Sequence, residues 1–227
     1  MIKLFLKHIH AVNEHIQQLE FDYDHSIEFH AGQYLELVIA GQENLYFTIA
    51  SSPSEQRLIL LIENKTATLI EQYCQDNNFV ESKHPQGECH IHNFAKPFKN
   101  LILVASGSGF SQMRAICQDI ILNNKDIKVT FIWGSAEFFE EELMKTWKDK
   151  VNIVLHKIED IDIEGKNNKH EQLMSLCLEN ITTDLNESAV IACASPDLVY
   201  PLQDALVEKG LGEHMMLADV FQFMPRQ

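Results

Sequence analysis

The segment 101–111, LILVASGSGFS, restricts the folds open to this chain more than any other. Its first six residues form a short apolar run, which reads as a strand covered on both faces. Ser-Gly-Ser-Gly follows at once. Then Met113, Ile116, Cys117 and Ile120 recur at spacings of three and four, as along one face of a helix. Strand, glycine turn and helix open an α/β sheet, whose ligands sit at the carboxyl ends of the strands. Residues 101 to 134 therefore read as the start of a nucleotide-binding domain. Gly107 and Gly109 form the turn that would face a phosphate, because glycine lets a backbone approach a ligand closely. Gln112 stands where the dinucleotide fingerprint has its third glycine, so a plain tight turn is the competing reading.

The same rhythm continues to the end. KVTFIWG (128–134), VNIVLH (151–156) and AVIACA (189–194) read as strands. Helices are expected around 137–147, near 170–178 and from about 197 to 209. Strand and helix alternating in this way imply a parallel, doubly wound sheet. MMLADVFQFM (215–224) supplies one more strand and an aromatic tail, and 159–169 is polar enough for an exposed loop.

Residues before about 97 differ. Ile2, Leu4 and Leu6 alternate with Lys3 and Lys7, and strand-like runs follow at 33–40, 45–52 and 57–63, divided by Gly41-Gln42 and Pro53-Ser54. One helix interrupts them, with Thr66 or Thr68 as its cap and Leu69, Ile70 and Tyr73 on its apolar face. Short strands with one helix indicate a small antiparallel barrel. A length of 227 residues suits two small domains. Pro97 marks the connector, giving 1–97 for the barrel and 98–227 for the α/β domain.

Charge and cysteine usage exclude several functions. The net charge of −15 repels phosphate backbones, so nucleic acid is not an expected partner. Bound nucleotides remain open, because backbone N–H groups hold a phosphate regardless of net charge. No stretch approaches the ~20 apolar residues that cross a bilayer, and the alternating start reads as a strand, so a cytoplasmic location is expected. Cys74, Cys89, Cys117, Cys177 and Cys193 include no C-x-x-C pair, which argues against a disulfide framework, a zinc site or an iron–sulfur cluster. His8/His10 and His90/His92 would each share one strand face. No third ligand is spaced to help them, and no metal is expected. The chain has no G-x-S-x-G elbow and no Walker lysine, so hydrolase and kinase readings find no support.

Three further segments could carry chemistry. Trp133 to Glu137 (WGSAE) ends a strand, and no Lys or Arg follows until Lys145. An NADP 2′-phosphate would want a cation there, so the acidic character favours NADH. The alternative is a solvated helix start, whose dipole acidic residues complement. Ala192 to Asp197 (ACASPD) ends another strand. Cys193 points into the same crevice or is a small core side chain, and Ser195 or Asp197 caps the next helix. In Leu45 to Ser51 (LYFTIAS), Thr48 offers a hydroxyl to a heterocycle, although many strands look like this.

Taken in order, several segments resemble one family: G-Q-Y-L (32–35), L-Y-F-T-I-A-S-S-P (45–53), G-E (87–88), L-I-L-V-A-S-G-S-G-F-S (101–111), F-I-W-G (131–134), A-C-A-S-P-D-L (192–198) and A-D-V-F-Q-F (218–223). They are similar to the bacterial NAD(P)H–flavin reductases, including those that serve luciferase, within the ferredoxin–NADP reductase superfamily. The resemblance implies a Greek-key barrel that binds flavin (riboflavin, FMN or FAD), an α/β domain that binds the nicotinamide nucleotide, and hydride transfer between rings held between the two. By position, Tyr46, Phe47, Thr48, Ile49 and Ala50 would meet the flavin, with Thr48 as the catalytic hydroxyl near its N5. Gly107, Ser108, Gly109, Phe110, Gly134 and Cys193 would meet the nucleotide, and Phe221 and Phe223 would form the aromatic tail. The family's flavin-binding Arg is Leu45 here, and the proline after it is Tyr46. The first turn glycine is Ser106, the basic residue after Trp133-Gly134 is Ala136, and the glycine after the cysteine is Ala194. Three functions stay open: a reductase of free flavin; a form that keeps FAD, with Lys65 and Thr66 at its pyrophosphate, and passes electrons to a protein partner; and a binding module that has lost the chemistry.

Overall fold

A computed structural model describes residues 1–24, 27–158 and 169–226. Most of the segment expected as a loop, 159–168, lies outside the described residues. The contacts group the chain into two compact units. One holds Met1–Gly87 with Arg114–Asn123, and the other holds Glu88–Met113 with Asn124–Gln227.

The first unit carries an antiparallel sheet of six strands: β1 (Ile2–Ala11), β2 (Ile16–Asp22), β3 (Tyr34–Val38), β4 (Leu45–Thr48), β5 (Leu58–Glu63) and β6 (Val80–Ser82). Their order is β4-β3-β6-β1-β2-β5. The ladder is stitched into a barrel where its two ends meet. The Ala50 N–H donates to Ile59 O at 2.8 Å, and the Ile59 N–H donates to Ser51 Oγ at 3.0 Å. Closure of this kind removes exposed sheet edges. In β1 the register with β2 shifts between Leu6 and His8, a bulge that bends the long strand from β6 towards β2. Leu4, Leu19, Phe21, Leu35, Leu37, Ile49, Leu58 and Leu60 fill the interior, each worth ~1.5–3 kcal/mol when fully buried.

Helix α1 (Asn64–Asn77) lays Ala67, Ile70 and Cys74 on that core, with Leu69 and Tyr73 beside them. It starts two to four residues before the expected caps. Glu63 occupies the N-cap without a side-chain bond, and the Thr68 hydroxyl donates back to Asn64 O at 2.9 Å. A threonine one turn inside a helix finds the carbonyl four residues behind it, so neither Thr66 nor Thr68 caps.

The second unit contains a parallel sheet of β7 (Asn100–Ser106), β8 (Lys128–Ser135), β9 (Val151–Lys157), β10 (Ser188–Cys193) and β11 (Met216–Leu217), in the order β11-β10-β7-β8-β9. The chain runs outward from β7 through β8 to β9, then returns to the other side of β7 as β10. The β7/β10 pair is therefore the topological switch point, where the carboxyl ends of an open sheet leave a crevice. The helices are α2 (Phe110–Leu122), α3 (Glu141–Trp147), α4 (Lys169–Asn180), α5 (Pro196–Glu208) and α6 (Asp219–Phe223). α3 begins later than expected because Glu140 adopts a left-handed conformation, φ 59°. The aromatic tail is a short helix following a two-residue strand. Among the described residues, no helix is long and apolar enough to cross a membrane.

Candidate functional site

On β4 the pleat sorts the expected flavin residues into two sets. Leu45 and Phe47 pack against the barrel core, and Ile49 is completely buried in it. Tyr46, 60% exposed, and the half-buried Thr48 lie on the other face. There Thr48 pairs with Tyr34 across the ladder, and the Tyr34 ring meets Tyr46 edge-on with centroids 6.1 Å apart. Phe47, Ile49 and Ala50 were expected to line a flavin. The side chains of Phe47 and Ile49 are committed to the barrel, and both polar groups of the Ala50 backbone are bonded within the protein. Leu45 brings no charge to this face. Lys83 stands beside it instead, its Nζ 2.7 Å from the buried Glu36 carboxylate, which holds the ammonium pKa above the usual lysine value. At the start of α1, Lys65 is exposed and Thr66 half-buried.

In the other unit the glycine turn follows β7 directly. Gly107 has φ 53°, and a Cβ built there would meet nothing within 4 Å. Its carbonyl accepts from Trp133 Nε1 at 3.0 Å, which pins the turn to β8. Gly109 serves a different need. A Cβ there would overlap the carbonyl oxygen of Cys193 and come within 3.1 Å of its Sγ, so glycine lets the turn lie against the end of β10. Ser108 is exposed.

Two expected nucleotide residues are core instead. Phe110 is completely buried, stacked on Trp133 at 4.4 Å and edge-on to Phe139 at 5.0 Å. Adjacency to the turn misplaced it: the first residue of α2 points into an aromatic cluster. Gly134 is likewise buried, and Ile158 and Leu173 occupy the place of its missing side chain. It makes room for α4.

Cys193 ends β10 opposite Ala105 of β7, at the switch point. Burial, with the Asp219 carboxylate adding to it, pushes its thiol up to about 12. Cys89 hydrogen-bonds the same carboxylate, and burial drives its pKa well above the usual thiol range. Gln112 Nε2 donates to Asp219 Oδ2 at 3.1 Å. Asp219 thus gathers Cys89, Gln112 and Cys193 at the β7/β10 ends, where both thiols stay neutral at pH 7. Nothing in the sequence pattern signalled Asp219 or Cys89 as members of this group, because their partners lie up to 130 residues away. All five cysteines are free thiols.

Ser195 takes the N-cap position of α5, yet its hydroxyl pairs with His170 Nε2 at 3.0 Å instead of capping. Asp197 Oδ2 lies 3.9 Å from His170 Nδ1. At the end of β8, the Ser135 hydroxyl donates to Glu137 O at 2.6 Å and folds the loop that carries Glu137 and Glu140 into α3, which opens on Glu141 and Glu142. Phe221 packs on Tyr200 with centroids 5.5 Å apart, whereas Phe223 is 58% exposed. The rings of His8 and His10 lie 5.8 Å apart, and Ile91–Asn93 is a 3-10 turn, so His90 and His92 do not share a strand face. Among the described residues, no cluster of three or more His, Cys, Asp or Glu could hold a metal ion.

Comparison with known proteins gives consistent results. No known family model matches the chain. A CDP-6-deoxy-L-threo-D-glycero-4-hexulose-3-dehydrase reductase from Yersinia pestis is 24% identical over 203 residues, covering 86% of this chain and 60% of its own length. A terephthalate 1,2-dioxygenase reductase component from Comamonas is 24% identical over 212 residues, covering 87% and 61%. This chain spans about 60% of the length of those two relatives. A probable flavin reductase from Vibrio harveyi is 25% identical over 226 residues, covering 88% of this chain and 91% of the relative. Among solved structures, an Amycolatopsis cytochrome P450 reductase matches with a TM-score of 0.74 at 14% identity, over 96% of this chain and 68% of its own. The ferredoxin–NADP+ reductase of Plasmodium falciparum matches with a TM-score of 0.71 at 12% identity, over 95% and 94%.

Proposed function

We propose that this chain, which has the ferredoxin–NADP reductase fold and flavin reductases among its relatives, is an oxidoreductase that moves a hydride from a nicotinamide nucleotide to a flavin. The observation that carries the reading is the pairing at the switch point. The open, left-handed Gly107 turn ends β7 while Cys193 and Asp219 stand at the end of β10 beside it. That is where a doubly wound sheet takes its nucleotide. Residues 1–97 serve as the flavin half and 98–227 as the nucleotide half.

When bound, flavin supplies a two-electron acceptor for the nicotinamide hydride. The chain's residues bind and orient, which is the protein's usual share of such chemistry. Thr48 would offer its hydroxyl to a ring nitrogen, and the exposed Tyr46 ring would form one wall of the flavin face. Lys65 and Thr66, at the start of α1, would hold the phosphate end of a flavin side chain. Backbone N–H groups around Ser108 and Gly109 would meet the nucleotide phosphates. Cys193, its thiol held neutral at pH 7 by burial, would contribute shape and polarity there.

Leu45 removes a charge-assisted phosphate contact of about 1.5–3 kcal/mol. Riboflavin, FMN and FAD should therefore be used with similar efficiency. The acidic loop from Glu137 to Glu142 repels a 2′-phosphate, so NADH should be preferred over NADPH. Steady-state oxidation of each nucleotide with each flavin tests both points, and no turnover with any of the three flavins would overturn the reading. A second reading, in which FAD stays bound and electrons pass to a protein partner, is favoured by Lys65 and by the dioxygenase reductase components among the relatives. Yellow colour that persists through gel filtration would select it.

A further inference from the structure

Arg114 is a long cation in a helix whose neighbouring positions are buried. It follows Gly109 by five residues on α2, and its side chain is only 4% exposed. Nη1 donates to Ala50 O at 2.7 Å and lies 3.2 Å from Glu55 Oε2. The Glu55 side chain, 7% exposed, accepts the Ser52 N–H at 2.7 Å, which completes a capping box around the turn Pro53–Glu55. Its other oxygen meets Arg57 Nη2 at 3.3 Å. Ser52 Oγ and Asn123 Nδ2 both donate to Asp119 Oδ1, at 3.3 and 2.9 Å.

This network sits where the backbone changes partners. Thr48 is the last residue of β4 in register with β3. The Ile49 N–H still donates to Gln33 O at 2.9 Å, but the Ala50 N–H already donates to Ile59 O at 2.8 Å on the other side. A buried carbonyl at such a crossing needs a donor from elsewhere. Arg114 supplies it: Nη1 of the planar guanidinium donates to the carbonyl while lying beside the Glu55 carboxylate.

We propose that Arg114 is a positioning residue: by holding the Ala50 carbonyl it fixes the end of β4, and with it the direction of the Thr48 hydroxyl. The inference rests on the flavin-reductase reading. Two variants separate it from a role in stability alone. Arg114→Lys keeps a cation but ends in a shorter side chain with a freely rotating ammonium, so the carbonyl loses the donor that Nη1 held in place. Glu55→Gln removes the ion pair and leaves the Arg114–Ala50 bond in place. Arg114→Lys should lower kcat by about tenfold or more, with KM for NADH within about twofold, as for misaligned groups that still bind. Glu55→Gln should cost at least as much thermal stability and keep kcat within about twofold of the parent. A wild-type kcat in Arg114→Lys, or kcat losses in both variants that track their melting temperatures, would overturn the assignment. A parent protein without turnover would overturn the reading beneath it and this proposal together, a result distinct from an active parent with an indifferent Arg114→Lys.

Discussion

Substitution of Gly109 and Gly107 should expose two different reasons for glycine within three residues. At Gly109 the reason is space. An alanine Cβ would overlap the Cys193 carbonyl oxygen, which belongs to strand backbone and cannot swing aside as a side chain would. Overpacking of this kind costs about 1–3 kcal/mol. The reduced entropy of the unfolded chain returns about 0.4–1 kcal/mol. The net loss then centres on roughly 1.3 kcal/mol, or a melting temperature lower by roughly 3–5 °C for a chain of this size. At Gly107 the reason is conformation. Nothing lies within 4 Å of an added Cβ, but φ is 53°, so alanine pays about 1–2 kcal/mol of left-handed strain. Asparagine tolerates that region and should recover most of the loss at 107, whereas at 109 its larger side chain should be worse than alanine. Thermal unfolding followed by circular dichroism on the four variants decides it. A Gly109→Ala protein as stable as the parent, or a Gly109→Asn protein above it, would refute the close approach to Cys193.

Further expectations follow from the site and the buried thiols. Thr48→Ser keeps the hydroxyl and should retain most activity, whereas Thr48→Ala should lose about tenfold in kcat/KM, the worth of one hydrogen bond; equal losses in both would remove the hydroxyl from the mechanism. Burial raises the Cys177 thiol from 9.0 to about 12, so the stability this neutral thiol contributes is fully present below pH 9 and is lost as pH rises from there towards 12. Urea midpoints should fall between pH 8 and pH 10. In Cys177→Ala the fall should be shallower by about 1.4 kcal/mol per pH unit above 9 at most, and identical slopes would contradict the burial effect.

The parallel half was legible because its strands are continuous apolar runs closed by turn residues, and β7 through β10 lie within a residue or two of the stretches expected. In the barrel half, β2 and β6 escaped notice. Gln17 and Gln18 break the alternation of β2, and β6 is three residues long, so both exist through their ladder partners. The site divided the same way. Thr48 and Gly107 were visible as local chemistry on a strand and a turn. Phe110 and Gly134 looked like ligand residues because they neighbour the strand ends, but side-chain direction, set by tertiary packing, sends one into the aromatic core and fills the space over the other. Asp219, Cys89 and Arg114 were not legible, since each acts through a partner far away in sequence.

Hydride transfer from a nicotinamide nucleotide to flavin is read most directly from an anaerobic difference spectrum. Flavin is added to the purified protein, NADH follows without oxygen, and the visible flavin absorption band is monitored. The band should bleach only with the protein present and should return when air is admitted. An unchanged flavin band with NADH and with NADPH would contradict it.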